Sequence, residues 1–362
     1  MKTTIQRVTL PDNRRILMLS DVHGHVQGLQ SVLQQAAFSP EDVLIIVGDM
    51  VEKGPQSLET LRLIRALCQT HTVLPLMGNV DLWRLERLCS TDAARQQELV
   101  EYSRQAEKWW GSSFLGELCR DIGAEMDTTA FPQLRRHWAV EFLSHLPTVL
   151  ETQRMIFVHG GLPHERLDEL TDWPAHKLLK WDHFYEDGLS FDKYVAVGHW
   201  PVALYGKDHS CVNPIIDHER RILCLDGGCG LKEEGQLNLL VLPCWQSDDF
   251  TLYSWTDLPA VIALDAQEER AAAGYIHWGD HQVELLEQDG VHARVLHHGK
   301  ELRVPASLVH EKNGGYICYD VSGYILPVQP GDELSLVYEF PYGCYVKKNG
   351  HSGWYMGRIR KL

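Results

Sequence analysis

The stretch Leu44-Ile-Ile-Val-Gly-Asp-Met-Val-Glu-Lys-Gly-Pro55 constrains this chain more than any other. Its unbroken apolar run, Leu44 to Val47, reads as a strand buried on both faces, as parallel sheets require. The run ends in Gly48-Asp49 and a loop closed by Gly54-Pro55. A carboxylate at the carboxyl end of such a strand lies where open α/β sheets place ligands. Taken alone, Asp49 reads as a turn former or helix cap, so its neighbours decide the matter.

The pattern recurs along the chain. Arg15-Ile-Leu-Met-Leu-Ser20 is a strand that runs into Asp21-Val-His23-Gly-His25, followed by helical spacing at Val26, Leu29, Val32, Leu33 and Ala36. A second helix carries Leu58, Leu61 and Ile64. Thr72-Val-Leu-Pro-Leu-Met77 is a third strand and ends in Gly78-Asn79-Val80-Asp81. Alternating strands and helices with short loops predict a parallel sheet. Met155-Ile-Phe-Val158 then delivers His159-Gly160-Gly161, and Tyr194-Val-Ala-Val197 delivers Gly198-His199. Ile222-Leu-Cys-Leu225 delivers Asp226-Gly-Gly228, and Leu237 to Leu242 is a closing strand. These later strands are expected to form a second sheet packed against the first. Residues 82–147 read as a polar helical insertion. Within it, Trp109-Trp110 is expected to pack in the core of a lid, with a substrate platform as the alternative.

Asp21, His23, Asp49, Asn79, His159 and His199 together form a mixed nitrogen and oxygen donor set. Such a set suits two divalent transition ions (Mn, Fe or Zn) better than calcium or magnesium, which favour oxygen shells. The net charge of -15 argues against a nucleic-acid partner. No apolar run is long enough to cross a bilayer, and the first residues lack a signal-peptide core, so a cytoplasmic protein is expected. Nine cysteines in no framework spacing read as reduced thiols. Cys224 and Cys229 are taken as buried, with a metal pair as the alternative.

These segments, in this order, resemble the calcineurin-like metallophosphoesterases. More narrowly they resemble the phosphoprotein phosphatase branch, which includes bacterial Ser/Thr phosphatases and symmetrical diadenosine tetraphosphatases. The family pattern is GDxHG, GDxVDRG, GNHE, HGG or HAG, and GH. Here it reads Ser20-Asp-Val-His-Gly24, Gly48-Asp-Met-Val-Glu-Lys-Gly54, Gly78-Asn-Val-Asp81, His159-Gly-Gly161 and Gly198-His199. The resemblance implies that Asp21, His23 and Asp49 hold one metal. It implies that Asn79, His159 and His199 hold the other, with Asp49 bridging both. A bridging hydroxide would then attack phosphorus. Lys53 and Asn79 are the implied phosphate contacts.

Departures from the pattern accompany the match. Val80 stands where the family has its leaving-group histidine, Glu52 where it has the supporting aspartate, and Lys53 where it has a bidentate arginine. The family's second arginine has no counterpart in Leu179-Lys-Trp-Asp-His-Phe184. Either a good leaving group, such as an aryl or nucleoside phosphate, dispenses with the acid, or His25, Asp81 or His183 replaces it. The plainer readings are a surface His25 and an Asp81 that caps the helix starting near Leu82.

The sequence therefore predicts an α/β (α+β sandwich) metallophosphoesterase domain over residues 1–258, a linker over 259–274, and an all-β SH3-like region over 275–362. Tandem small barrels are preferred there to one larger barrel. Residues 264–273 read as a helix or linker. The expected function is dinuclear-metal phosphoesterase, similar to Ser/Thr protein phosphatases. The alternatives are a diadenosine tetraphosphatase-like nucleotide hydrolase and a metal-binding scaffold or sensor with little turnover. Expected partners are a phosphorylated small molecule, nucleotide or phosphoprotein as substrate, a peptide or protein at the SH3-like region, and no membrane.

Overall fold

A computed structural model describes residues 1–271 and 274–362. The chain divides into two units, residues 1–200 with 214–256, and residues 201–213 with 257–362.

The first unit is built on two sheets. One has five strands in the order Thr251–Trp255, Leu237–Leu242, Ile16–Leu19, Val43–Ile46, Thr72–Pro75. Its last three strands are mutually parallel, and Leu237–Leu242 is antiparallel to both of its neighbours. The other has six strands in the order Ile5–Arg7, Val149–Glu151, Met155–Val158, Tyr194–Val197, Ile222–Cys224, Ile215–Asp217.

Strand alternation separates two cores. Ile16, Met18, Val43 and Ile45 face inward and pack with Leu150, Phe157, Ala196 and Leu223, which joins the two sheets. Leu17, Leu19, Leu44 and Ile46 face the other way and meet the helices. The helices there are Val26–Gln35 and Ser57–Thr70, which bury Leu29, Val32, Leu58, Leu61 and Ile64 as their spacing predicts. The segment expected as an insertion contains Asn79–Cys89, Ala93–Trp110, Phe114–Ile122 and Trp138–Ser144. Its Leu82, Leu85, Leu99, Phe114, Leu118 and Leu143 belong to the same core as Leu17 and Leu58, so these helices are part of the body of the unit. Trp109 corrects an expectation. It is 60% exposed at the end of Ala93–Trp110, against the edge of Trp110, and does not fill a core.

Among its described residues the second unit is all β in its regular elements apart from short 3₁₀ turns. It has two five-stranded sheets and a two-stranded pair. The hairpin Gln282–Gln288 with His292–His297 forms as predicted. So does the succession Glu333–Phe340, Gly343–Lys348, His351–Tyr355. The expected linker is different. Ala260–Ala263 is a strand between Glu333–Phe340 and Ile359–Lys361, because Val261 and Ala263 are apolar enough to enter that core. Over 264–271 there is no helix: Gln267 bridges to Val328 and Arg270 to Ile325. Residues 272 and 273, the end of that expected segment, lie outside the described residues. Among the described residues no helix is long and apolar enough to cross a membrane.

Phe157 is the largest fully buried side chain in the core between the two sheets of the first unit. Its replacement by alanine should cost about 3–5 kcal/mol of stability, from lost transfer energy plus a cavity. Urea unfolding followed by tryptophan fluorescence measures this, and a cost below about 1 kcal/mol would contradict the packing described.

Candidate metal centre

The carboxyl ends of the strands are lashed together by their own backbone. Asp21 N–H donates to Gly48 O at 3.1 Å, His23 N–H to Asp49 O at 3.0 Å, and Gly24 N–H to Met50 O at 2.9 Å. This leaves room only for glycine at the crossing. A Cβ on Gly78 would lie 2.1 Å from both the N and Oδ1 of Asp49. Asp21, His23, Asp49, Glu52, Lys53 and His199 all hold positive φ, between 45° and 70°. Left-handed backbone at non-glycine residues costs free energy and persists where surrounding structure over-determines it, which is common at functional sites.

Each of the two key carboxylates has one oxygen fixed and one presented. Asp21 Oδ2 accepts from His199 N–H at 3.1 Å, and Asp49 Oδ1 from Val80 N–H at 2.8 Å. The other oxygens face histidines. Asp21 Oδ1 is 3.6 Å from His23 Nε2 and 4.0 Å from His159 Nε2. Asp49 Oδ2 is 3.8 Å and 3.4 Å from the same atoms. Asn79 Oδ1 lies 2.9 Å from both His159 Nε2 and His199 Nδ1. Carbonyls orient the rings: Val47 O is 2.7 Å from His159 Nδ1, and Val51 O is 3.3 Å from His23 Nδ1. That contact favours the Nδ1–H tautomer and turns the Nε2 lone pair into the site. His199 is held from its far side by Asp182 Oδ1, 2.7 Å from Nε2.

Charge is unevenly met within this cluster. Burial pushes Asp21 up to about 6, against the pull of His159. Burial acts on Asp49 in the same direction, but His159 outweighs it and holds that carboxyl below the usual range. Burial lowers His159, while Asp49 and Asp21 together carry it up to about 10. His199 is pushed down to about 4 by burial and by His159. His23 falls well below its usual value through burial and Lys53. The charge of Asp49 is thus met within the cluster and that of Asp21 much less so. Asp21 Oδ1 is wholly buried and has no hydrogen-bond partner. Asp21, Asp49 and His159 offer donors within 4.8 Å of one another. An orphaned carboxylate oxygen among imidazole nitrogens and an amide oxygen fits a divalent transition ion.

The structure places the remaining predicted residues as follows. Lys53 Nζ lies 3.4 Å from His23 Nε2, at the rim of the cluster. His25 is half-buried, its Nδ1 3.2 Å from Val22 O and its ring 5.9 Å from that of Trp255. Asp81 is fully engaged. Its Oδ1 accepts from Met50 N–H at 3.1 Å and Val51 N–H at 3.3 Å, and its Oδ2 accepts from Gly78 N–H at 3.0 Å. Burial, reinforced by Asp49, pushes its carboxyl up to about 7. His183 is exposed, bonded to Glu186 at 3.0 Å, with its ring against Trp200. Val80 serves through its backbone N–H alone.

Three residues escaped sequence reasoning. Glu52 makes a buried ion pair with Arg84 at 2.7 Å, and the guanidinium lies 4.2 Å from the Tyr102 ring centroid and 4.3 Å from that of Trp83. Nothing in the motif pattern marks Arg84, although an arginine amid apolar helix positions is a weak signal. Asp182 lies inside the segment searched for an arginine. Asp226 follows an apolar strand, as Asp49 does, but stands outside the donor set that the sequence assembles. It is buried with Oδ2 unpartnered, and burial together with Asp21 pushes its carboxyl well above the usual range.

A two-sheet α/β body with convergent aspartate and histidine donors at its strand ends defines a metal-dependent hydrolase of phosphate esters. Residues 14–228 match the calcineurin-like phosphoesterase family, and the chain belongs to it. A symmetrical bis(5'-nucleosyl)-tetraphosphatase of Erwinia tasmaniensis is 47% identical over 296 residues, covering 70% of this chain and 98% of the relative. Its counterpart in a Janthinobacterium strain is 24% identical over 265 residues, covering 72% and 81%. A solved cold-active protein-tyrosine phosphatase of a psychrophilic Shewanella is 13% identical with a TM-score of 0.47, covering 70% of this chain and 82% of its own.

The Glu52–Arg84 pair sets a stability prediction. Arg84→Met leaves a buried carboxylate without its cation and should cost about 3–5 kcal/mol. Adding Glu52→Gln should restore much of that loss. Urea midpoints of the single and double variants measure the coupling.

Proposed function

We propose that two divalent transition ions (Mn, Fe or Zn) serve this site. Asp21, His23 and Asp49 would hold one, and Asp49, Asn79, His159 and His199 the other. The observation that carries this reading is the convergence of Asp21 Oδ1 and Asp49 Oδ2 on the Nε2 atoms of His23 and His159. Bound ions would supply Lewis-acid charge to a phosphoryl oxygen and to water. The chain's own residues do the rest. Val80 N–H and His199 N–H aim the two aspartates, and Asp182 fixes the His199 ring. Lys53 contributes a point charge for a phosphate oxygen, and Asn79 a second contact to substrate.

The substrate class follows from what can protonate the leaving group. Val80 cannot, all three hydrogen bonds to Asp81 come from backbone N–H groups, and His183 is exposed and bonded to Glu186. His25 is turned to Val22 O. A leaving group that needs no proton, such as a nucleoside phosphate, suits this site better than the alkoxide of phosphoserine. The names of the Erwinia and Janthinobacterium relatives agree with that chemistry. We therefore favour a dinucleoside polyphosphate or related nucleotide over a Ser/Thr phosphoprotein. The nine free thiols suit a reducing, cytoplasmic compartment. The two five-stranded sheets of the C-terminal unit are read as SH3-like modules. Trp354 is buried in the core of that unit with Phe340 and Tyr342 packed against it, whereas Tyr316 and Tyr319 are exposed and would be the surface for a peptide.

Steady-state assays with Mn²⁺ on diadenosine tetraphosphate, an aryl phosphate and a phosphoserine peptide test the substrate class. General acid catalysis contributes about 10²–10⁴-fold, so phosphoserine turnover should trail the other two by at least about 10²-fold. Equal rates would overturn the inference about the leaving group. Asp49→Ala and Asn79→Ala should each lower hydrolysis by at least about 10²-fold. Hydrolysis of nothing on the panel by a metal-loaded protein would favour a scaffold.

Chelation provides a separate check. Prolonged dialysis against a strong chelator should abolish hydrolysis and lower the melting temperature, and Mn²⁺ should restore both. Full activity in metal-free protein would exclude the proposed centre.

A further inference from the structure

The C-terminal unit contains a second convergence of side chains that could hold a metal. The chain reverses at His277-Trp278-Gly279-Asp280, where Asp280 N–H donates to His277 O at 2.9 Å and Gly279 has φ +90°. It reverses again after the strand His292–His297, at His298-Gly299, before Lys300–Pro305. Consecutive residues on an extended strand point to opposite faces, so His297 and His298 would normally diverge. His298 instead has φ 47° and Gly299 φ 73°, and this left-handed pair brings the second imidazole back beside the first. The two rings lie 4.3 Å apart, centroid to centroid.

Both imidazoles aim at one carboxylate. His298 Nε2 lies 2.9 Å from Asp280 Oδ1 and 2.8 Å from Oδ2. His297 Nε2 lies 3.3 Å from Asp280 Oδ1 and 3.1 Å from the Asp280 carbonyl oxygen. His297 is buried, Asp280 half-buried and His298 exposed, so the cluster has a closed side and an open one. Burial alone would raise the Asp280 carboxyl, but the two histidines hold it below the usual range. One donor atom from each residue lies within 4.8 Å of the others.

We propose that Asp280, His297 and His298 bind a divalent transition ion, with zinc the expected occupant. Two imidazole nitrogens and one carboxylate oxygen are three of the four ligands of a tetrahedral zinc, and the open side leaves the fourth to solvent or to a partner's side chain. The separations of Asp280 oxygens from the two imidazole nitrogens, 2.8–3.3 Å, already approach those around a metal bonded at about 2.0–2.1 Å. The ion would clip the turn 277–280 to the turn 297–300.

The test uses the full chain, saturated with Zn²⁺, desalted and assayed by elemental analysis. It compares wild type with His298→Gly and Asp280→Asn. Glycine accepts the left-handed backbone at 298 without strain, and asparagine keeps the shape at 280, so both variants should fold. The expected result is one zinc fewer per chain in each variant. Mn²⁺-dependent hydrolysis of an aryl phosphate should be unchanged, because neither residue belongs to the catalytic unit. After Co²⁺ substitution, wild type minus variant should show the visible bands of a tetrahedral site. Equal metal content in wild type and either variant overturns the proposal, as does a difference spectrum without those bands.

Discussion

The structure depends on the crossing of two loops at the carboxyl ends of adjacent parallel strands. Asp21 and His23 donate their backbone N–H groups to the carbonyls of Gly48 and Asp49. The chain at Gly78 passes so close to Asp49 that no side chain fits between them. These contacts hold the backbone left-handed at Asp21, His23 and Asp49, and they deliver carboxylates and imidazoles to one place. The rigidity comes from the sheets. Leu17, Leu19, Leu44 and Ile46 anchor one face of the strands, and Ile16, Met18, Val43 and Ile45 the other.

Around that crossing, each functional side chain has an orienting partner. One oxygen of each key aspartate is held by a backbone N–H, and carbonyls hold His23 and His159 at Nδ1. Asp182 does the same for His199. Outer partners of this kind set tautomer and ring direction. Asp81, acidic and beside the proposed centre, joins the start of the helix Asn79–Cys89 to the loop at Met50 and Val51.

Much of this could be read from the sequence, for a physical reason. Parallel strands buried on both faces are continuous apolar runs, and the residues proposed as ligands follow at once, so Asp21, His23, Asp49, His159 and His199 stand out locally. Residues that act across distance do not. Arg84 meets Glu52 from 32 positions away, and Asp182 meets His199 from 17. The segment beginning at Leu264 misled because glutamate and alanine favour helix. Pairing with Val328 and Ile325, some sixty residues distant, overrides that preference. Val261 and Ala263 show the same limit, since the core that recruits them is assembled from strands near the end of the chain.

The donors at the crossing come from positions as far apart as Asp21 and His199, and both sheets must be closed before they meet. An unfolded chain therefore has no comparable site, and any cation bound there acts as a ligand of the native state alone. At a hundredfold excess over its Kd such an ion adds about 2.7 kcal/mol to the unfolding free energy. That is a sizeable fraction of the roughly 5–15 kcal/mol that holds a typical domain together. Metal supply and conformational stability are then one coupled equilibrium, and the same few atoms would govern both turnover and how long the chain survives in its folded form.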